Sequence, residues 1–394
     1  MAAPLRLEPG TIGPARMHML FDVGTAADRG AIRAGRIRAT KRVDMGLKTL
    51  KVSVLKRSKR MGILQAFGRS AWRTSRLLIL GYHGISQDDE HLWNPALYMT
   101  QDTLRRRMEV LVRNECSVLS LCEAVTRLGT NDLPPRSVVI TFDDGFYNFF
   151  ARAFPVIREF GFPVTVYQTS YYSSFNRPVF DVALSYIAWK GAGKRIEGLR
   201  FTGSPEVLDL STAESRVSAC ARIRQAAHRN GMSGQAKDEI VDELAAALEV
   251  DSESIRARRM LHLMTPEELN QLVKQGIDLQ LHTHRHRMPR DRDLFRREIS
   301  ENRTFLRALG QPSANHFCYP SGVYANGFLP WLVDLGVHSA TTCDPGLASP
   351  KRRVLLLPRL MDSSELSDVE LEGWVHGVSQ VFPRRPTRRA MPCY

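Results

Sequence analysis

Residues 138–148 read Val-Val-Ile-Thr-Phe-Asp-Asp-Gly-Phe-Tyr-Asn, and residues 279–286 read Leu-Gln-Leu-His-Thr-His-Arg-His. Each is an apolar run of strand character that ends abruptly in side chains able to bind a metal or move a proton. Two adjacent carboxylates, Asp143 and Asp144, at the mouth of a buried strand repel each other and lose solvation. They need a cation, hydrogen-bond donors or shared protons. His282, His284 and His286 supply the neutral nitrogens that zinc-like metals prefer. An acidic pair at one strand end and a histidine cluster at another is the pattern of a catalytic metal site.

Outward from these segments the chain alternates strands and helices. Leu77 to Leu80 is a short buried strand ending in Gly81-Tyr82-His83-Gly84. A helix over 102–114 carries Leu104, Met108 and Leu111 on one stripe. Val138 to Phe142 is the next strand, followed by a helix over 149–160 closed by Gly161, and then the strand Val164 to Tyr167. Residues 172–262 break this rhythm with several helical stretches, among them 236–249, and read as a helical insertion that covers or shapes a cleft. Thr265-Pro266-Glu267-Glu268 combines an N-cap, a first-turn proline and a capping-box glutamate, so a helix starts there and ends near Gly276. Ile277 to Leu281 is the strand that delivers the histidines. A helix over 293–309 follows, then strand-like pieces near 315–319, 337–342 and 353–357. Alternation of this kind implies parallel strands with crossover helices, as in a β/α barrel, whose chemistry collects at the C-terminal strand ends. His83, Asp143, Asp144 and the 282–286 histidines all occupy such ends, so one rim is expected to hold them.

The 394 residues carry a net charge of +14, with 43% hydrophobic and 24% charged residues, an ordinary globular balance that is strongly basic. The charge is localised. Residues 1–76 hold 17 Lys/Arg against 4 Asp/Glu, and the tail adds Arg384, Arg385, Arg388 and Arg389, so the body at 77–382 is slightly acidic. That argues against a folded domain that grips nucleic acid. The expected organisation is a basic extension over 1–75, a catalytic body over 76–382 and a basic tail over 383–394. Residues 46–70 fit either a basic amphipathic helix in peripheral contact with an anionic membrane or a helix covering one end of the body. No run reaches the roughly 18 apolar residues of a membrane span, and the first 30 residues lack a signal-peptide pattern, so a cytoplasmic location with membrane association is expected. Six scattered cysteines without a C-x-x-C fit reduced thiols.

Thr141-Phe142-Asp143-Asp144-Gly145 followed by His282-Thr283-x-x-His286 resembles the polysaccharide deacetylase family, the NodB-homology group of carbohydrate esterase family four. The resemblance covers roughly residues 76–362. It implies an α/β fold, a distorted, TIM-barrel-like β/α barrel carrying the helical insertion, and removal of acetyl groups from acetylated sugars with zinc or a similar divalent metal. Position by position it implies Asp143 as general base and Asp144, His282 and His286 as metal ligands. From the residues alone, a strand continued through the motif would put His282 and His284 on one face. Phe317-Cys318-Tyr319-Pro320-Ser321-Gly322 resembles the third motif, R-x-P-Y-G, with Cys318 in place of an arginine that contacts the base and Ser321 in place of an aromatic residue. Tyr319, Pro320, Ser321 and Gly322 are the implied substrate-binding segment. For the general acid, Trp374-Val375-His376-Gly377 is a poor match to the late L-x-H motif, and His83 resembles the early Y-H segment of permuted exopolysaccharide deacetylases. Arg359, in Leu357-Pro358-Arg359-Leu360, either pairs with Asp143 or binds substrate.

The reading is a metal-dependent hydrolase acting on N-acetylamino sugars of a polysaccharide or lipid-linked glycan precursor. An O-acetyl esterase, a non-catalytic carbohydrate-binding barrel and nucleic-acid binding through the basic ends are the alternatives.

Overall fold

The computed structural model describes residues 48–197, 207–311 and 313–382; the expected extension up to residue 47 and the tail from 383 lie outside them. Seven strands form one sheet: β1 Leu78–Tyr82, β2 Val138–Asp144, β3 Thr165–Gln168, β4 Asp278–Leu281, β5 His316–Cys318, β6 Ser339–Thr341 and β7 Leu360–Met361. Their order is β6-β5-β4-β3-β2-β1-β7, and every pairing is parallel. The segment before β7 joins the two edges. Leu357 bridges Thr341 of β6, and three residues later Leu360 pairs with Leu80 of β1. One short segment therefore closes the sheet into a distorted barrel, as the alternation of elements implies.

Strand alternation sorts the side chains. Leu78, Leu80, Tyr82, Val138, Ile140 and Phe142 face outward into the main core with Leu104, Met108 and Leu111 of the helix Gln101–Arg113. Leu77, Ile79, Val139, Tyr167, Cys318 and Leu357 form a separate cluster with Leu121 and Ala124 of the helix Leu121–Thr130, which fills the barrel interior. By the same alternation Thr141 and Asp143 of β2 point inward above Val139. The strand expected over 353–357 is instead a single 3-10 turn, Val354–Leu356, and the edge strand comes after Pro358. Proline cannot donate to the ladder, so pairing resumes only beyond it.

The capping box predicted at Thr265 is present, with Thr265 and Glu268 hydrogen-bonded reciprocally at the start of Pro266–Lys274. The insertion is helical, with Phe180–Lys190, Ala213–Arg229, Gly234–Ala247 and Ser252–Ala257 packed around their own apolar cluster of Leu184, Ile187, Ile223 and Leu244. Its two ends are stitched to each other and to the barrel rim. Pro178 bridges His262, Leu263 bridges Phe146, and the Met264 N–H donates to the Gly145 carbonyl.

Residues 48–75, assigned to the extension on sequence, pack against the barrel. A helix over 48–60 buries Leu55 with Leu64 and Val369. Arg73 is fully buried, and its guanidinium donates to the carbonyls of Val375, Arg76 and Ser137. The helix does cover the body, by one face; its other face is exposed.

Candidate active site

The C-terminal ends of β2 and β4 meet across β3. Asp143 and Asp144 pair with Tyr167 and Gln168 of β3, which pair in turn with Gln280 and Leu281 of β4. Beyond Leu281 the chain leaves the strand. Thr283 lies at φ 63° and His286 at φ 53°, left-handed conformations that are costly for a β-branched threonine. That turn is why strand alternation fails to predict the histidines. His286, not His284, comes round beside His282, and the two Nε2 atoms each stand 3.1 Å from Asp144 Oδ1. His284 faces the other way, with Nδ1 2.9 Å from Ser170 Oγ and Nε2 3.4 Å from Glu301.

Asp144 is itself at φ 70° and is followed by Gly145 at φ 81°. A Cβ at Gly145 would lie 1.8 Å from Gln168 Oε1, so the turn after the two aspartates requires glycine on both counts.

Neighbouring elements hold the loop of histidines in place. Asn302, fully buried, accepts from the His282 N–H at 2.9 Å and donates to the Gln168 carbonyl and Ser170 Oγ, tying β3 to β4. Glu298, also buried, accepts from the Arg285 N–H and from Arg287 Nε, both at 2.7 Å. Sequence reading passed over both. Their signal is weak: polar residues at i and i+4 in the helix Arg292–Ala308, on the face that also buries Phe295 and Ile299.

Asp144, His282 and His286 present their donor atoms within 4.8 Å of one another, all buried. The His282 Nδ1–H donates to the Cys318 carbonyl at 2.9 Å. Its Nε2 lone pair then faces the Asp144 carboxylate, which is repulsive unless a cation or proton lies between. Two imidazoles and a carboxylate, one imidazole oriented by a backbone carbonyl, fit a divalent metal of the zinc type and leave coordination positions open. With protons on the two Nε2 atoms, burial works to raise the Asp144 carboxyl, but His286 and the hydrogen bonds of both histidines hold it well below the usual carboxylate range.

Asp143 lies deeper and is gripped by Arg359. Nη1 donates to Oδ1 and Nη2 to Oδ2, each at 2.7 Å. Arg359 is fully buried; it also donates to Thr141 Oγ1, the Thr342 carbonyl and Cys318 Sγ. Of the two roles open on sequence, pairing with Asp143 is the one the geometry adopts. The assignment of Arg359 to substrate binding is corrected, because a side chain with no exposed surface meets no glycan. The guanidinium delivered from the segment before β7 stands beside the position where Cys318 replaces an arginine. Burial works to raise the Asp143 carboxyl, and Arg359 overcomes it, leaving the group below the usual range.

The 319–322 segment divides. Tyr319 is fully buried and donates its hydroxyl to the Leu355 carbonyl, so its ring does not face the cleft. Pro320 and Gly322 are buried, and Ser321, at φ 55°, is partly exposed. His83 Nε2 lies 3.9 Å from Asp143 Oδ2, and burial lowers its pKa below the ordinary imidazole value. His376 is at the opposite end of the barrel, where its Nε2 is 2.8 Å from Asn114 Oδ1 and its ring packs on Gly68.

A sequence model of the polysaccharide deacetylase family matches residues 230–340, which include His282 and His286 but not Asp143, Asp144, His83 or Arg359. The poly-β-1,6-N-acetyl-D-glucosamine N-deacetylase of Escherichia coli (strain K12) is 27% identical over 93 residues, 23% of this chain. The match spans only 14% of that relative's length. Among solved structures, the Streptococcus pyogenes deacetylase PplD in complex with acetate aligns over 78% of this chain and 99% of its own, at 17% identity and a TM-score of 0.50, a likeness of fold. IcaB from Ammonifex degensii aligns over 77% of this chain and 97% of its own at 15% identity, with a TM-score of 0.47.

Proposed function

We propose that this chain, which matches a polysaccharide deacetylase model over residues 230–340, is a metal-dependent hydrolase that releases acetate from N-acetylamino sugars of a polysaccharide or its lipid-linked precursor. The observation that carries this reading is the convergence of two distinct carboxylates at one strand end. Asp144 faces two imidazole nitrogens at 3.1 Å, and Asp143 faces a guanidinium at 2.7 Å. Environment separates the pair into a ligand and a base, as different roles for adjacent acids require.

In this reading Asp144, His282 and His286 hold a divalent metal, zinc by the nitrogen-rich donor set. When bound, such an ion polarises the acetyl carbonyl and makes a water acidic enough to attack near neutral pH. Asp143, kept ionised by Arg359, takes the proton of the attacking water. His83, 3.9 Å away, is placed to relay that proton to the sugar nitrogen as the carbon–nitrogen bond breaks. Acetate and a free amine are the products. Asn302 and Glu298 keep the two histidines on target.

The substrate class follows the name of the curated relative, a poly-N-acetylglucosamine N-deacetylase. The test is acetate and amine release from N-acetylglucosamine oligomers and acetylated xylan, comparing wild-type protein with Asp143→Asn. Amine release by wild type that Asp143→Asn abolishes supports the reading. Acetate from xylan without amine from the oligomers would favour the esterase alternative. Equal rates in the two proteins would remove Asp143 from the mechanism.

A further inference from the structure

We propose that the helix over 48–60 is a peripheral docking face for an anionic lipid surface. This rests on neither the metal site nor the activity. Among the described residues, four of the thirteen exposed large apolar side chains, Leu50, Val54, Met61 and Ile63, fall within residues 50–63. That is far denser than scattered surface leucines and valines elsewhere, which need no explanation.

The helix has two opposed faces. Leu55 and Val52 turn inward, and the lysines on that side are engaged: Lys51 with Glu370, Lys59 with Glu372, and Lys48 with the Glu365 carbonyl. Leu50 and Val54 stand one turn apart, and Met61 follows two turns beyond Val54, its N–H still donating to the Arg57 carbonyl. They make one outward stripe, with Arg57 in it and Lys56 and Arg60 beside it. These three cations are exposed, and none pairs with an acidic group among the described residues. Exposed apolar side chains thus lie together with cations that have no acidic partner among the described residues. An anionic headgroup layer neutralises the cations and takes up the apolar stripe.

The stripe also points to how the protein would lie. Lys48 reaches Glu365 just beyond the C-terminal end of β7, at the rim that carries the site, and Lys59 reaches Glu372 farther down the barrel wall. Ser364 beside Glu365 donates to the carbonyls of Pro95 and Tyr98, in the loop that exposes Leu92 and Leu97. That loop in turn accepts from the Gly84 N–H, next to His83. Docked by this face, the barrel lies on its side with its cleft opening at headgroup level.

The experiment is flotation of the full chain with phosphatidylcholine vesicles made with and without phosphatidylglycerol. The variants are Val54→Glu with Met61→Glu, and Lys56→Glu with Arg57→Glu and Arg60→Glu. All five positions are exposed, and unchanged melting would confirm folding. Wild type should float only with anionic vesicles, and either variant should bind on the order of a hundredfold more weakly. Absence of flotation would overturn the proposal, as would flotation that both variants retain, which would place binding in the basic ends. Sedimentation of wild type as a dimer that Val54→Glu with Met61→Glu makes monomeric would assign the face to a second copy and overturn it too.

Discussion

Arg359 closes on both oxygens of Asp143 at 2.7 Å, although 216 residues separate them in sequence. The pair is buried, so neither charge has water to fall back on. Arg359→Leu should cost about 3–5 kcal/mol of stability, the penalty for stranding a buried charge. Arg359→Lys keeps the charge but not the planar two-pronged fit. Its kcat should fall on the order of a hundredfold through misplacement of the base, with KM little changed. Steady-state kinetics on an N-acetylglucosamine oligomer separates the two constants. A raised KM with kcat intact would mean that Arg359 acts on substrate after all.

The divergence of the three histidines makes a sharper prediction about metal. After saturation with zinc and dialysis, wild type should retain about one equivalent per chain, the expectation for a single site with three protein ligands. His286→Ala should retain almost none. His284→Ala should retain wild-type content, because its ring faces Ser170 and Glu301. Elemental analysis of the three proteins decides the matter, and loss of metal in His284→Ala would contradict the geometry.

Stability should fall as the solution is acidified from neutrality. Burial holds His262, His316 and His376 neutral, each pushed down to about 4 from the ordinary 6.5. Between those values the unfolded chain binds a proton at each histidine and the folded chain does not. Their contribution is therefore complete above pH 6.5 and is lost as pH falls toward 4. Each such group contributes a slope of about 1.4 kcal/mol per pH unit. Urea midpoints measured from pH 7 to pH 4.5 should decline steadily, and His376→Gln should decline less steeply than wild type. Parallel slopes would show that His376 is already charged in the folded protein.

The two candidate acid histidines are separated by the length of the barrel, and their variants should differ accordingly. His83→Gln should lower kcat for amine release by about 100- to 10,000-fold, the usual range for a lost proton-transfer group. His376→Gln should leave kcat unchanged while altering the melting temperature. Similar activity loss in both would point to folding rather than proton transfer.

Much of this site is legible in the sequence because it is local. Asp143 and Asp144 are adjacent, the glycine that follows is required by the Gln168 side chain, and Thr265 and Glu268 signal their helix within four residues. The barrel follows from strand and helix alternation. What the residues alone left open or misplaced is decided by backbone twist or by long-range contact. The choice of His286 over His284 depends on the left-handed turn at Thr283, which no alternation rule anticipates for a threonine. The grip of Arg359 on Asp143 depends on the segment before β7 closing the barrel. The edge strand was placed too early because Leu355 and Leu357 are as apolar as a strand while Pro358 delays the pairing. The inner and outer faces of the helix over 48–60 were both apolar enough to leave its role open until its packing partner at Val369 was known.

The most direct test of the hydrolase is a titration. Protein stripped by a chelator is given increasing zinc, and amine release from an N-acetylglucosamine oligomer is followed at each addition. The expected result is no release without metal, a rise with added zinc, and a plateau near about one equivalent per chain. Release that persists in the stripped protein, or that is absent from protein shown to hold the metal, would contradict a metal-dependent deacetylase at Asp144, His282 and His286.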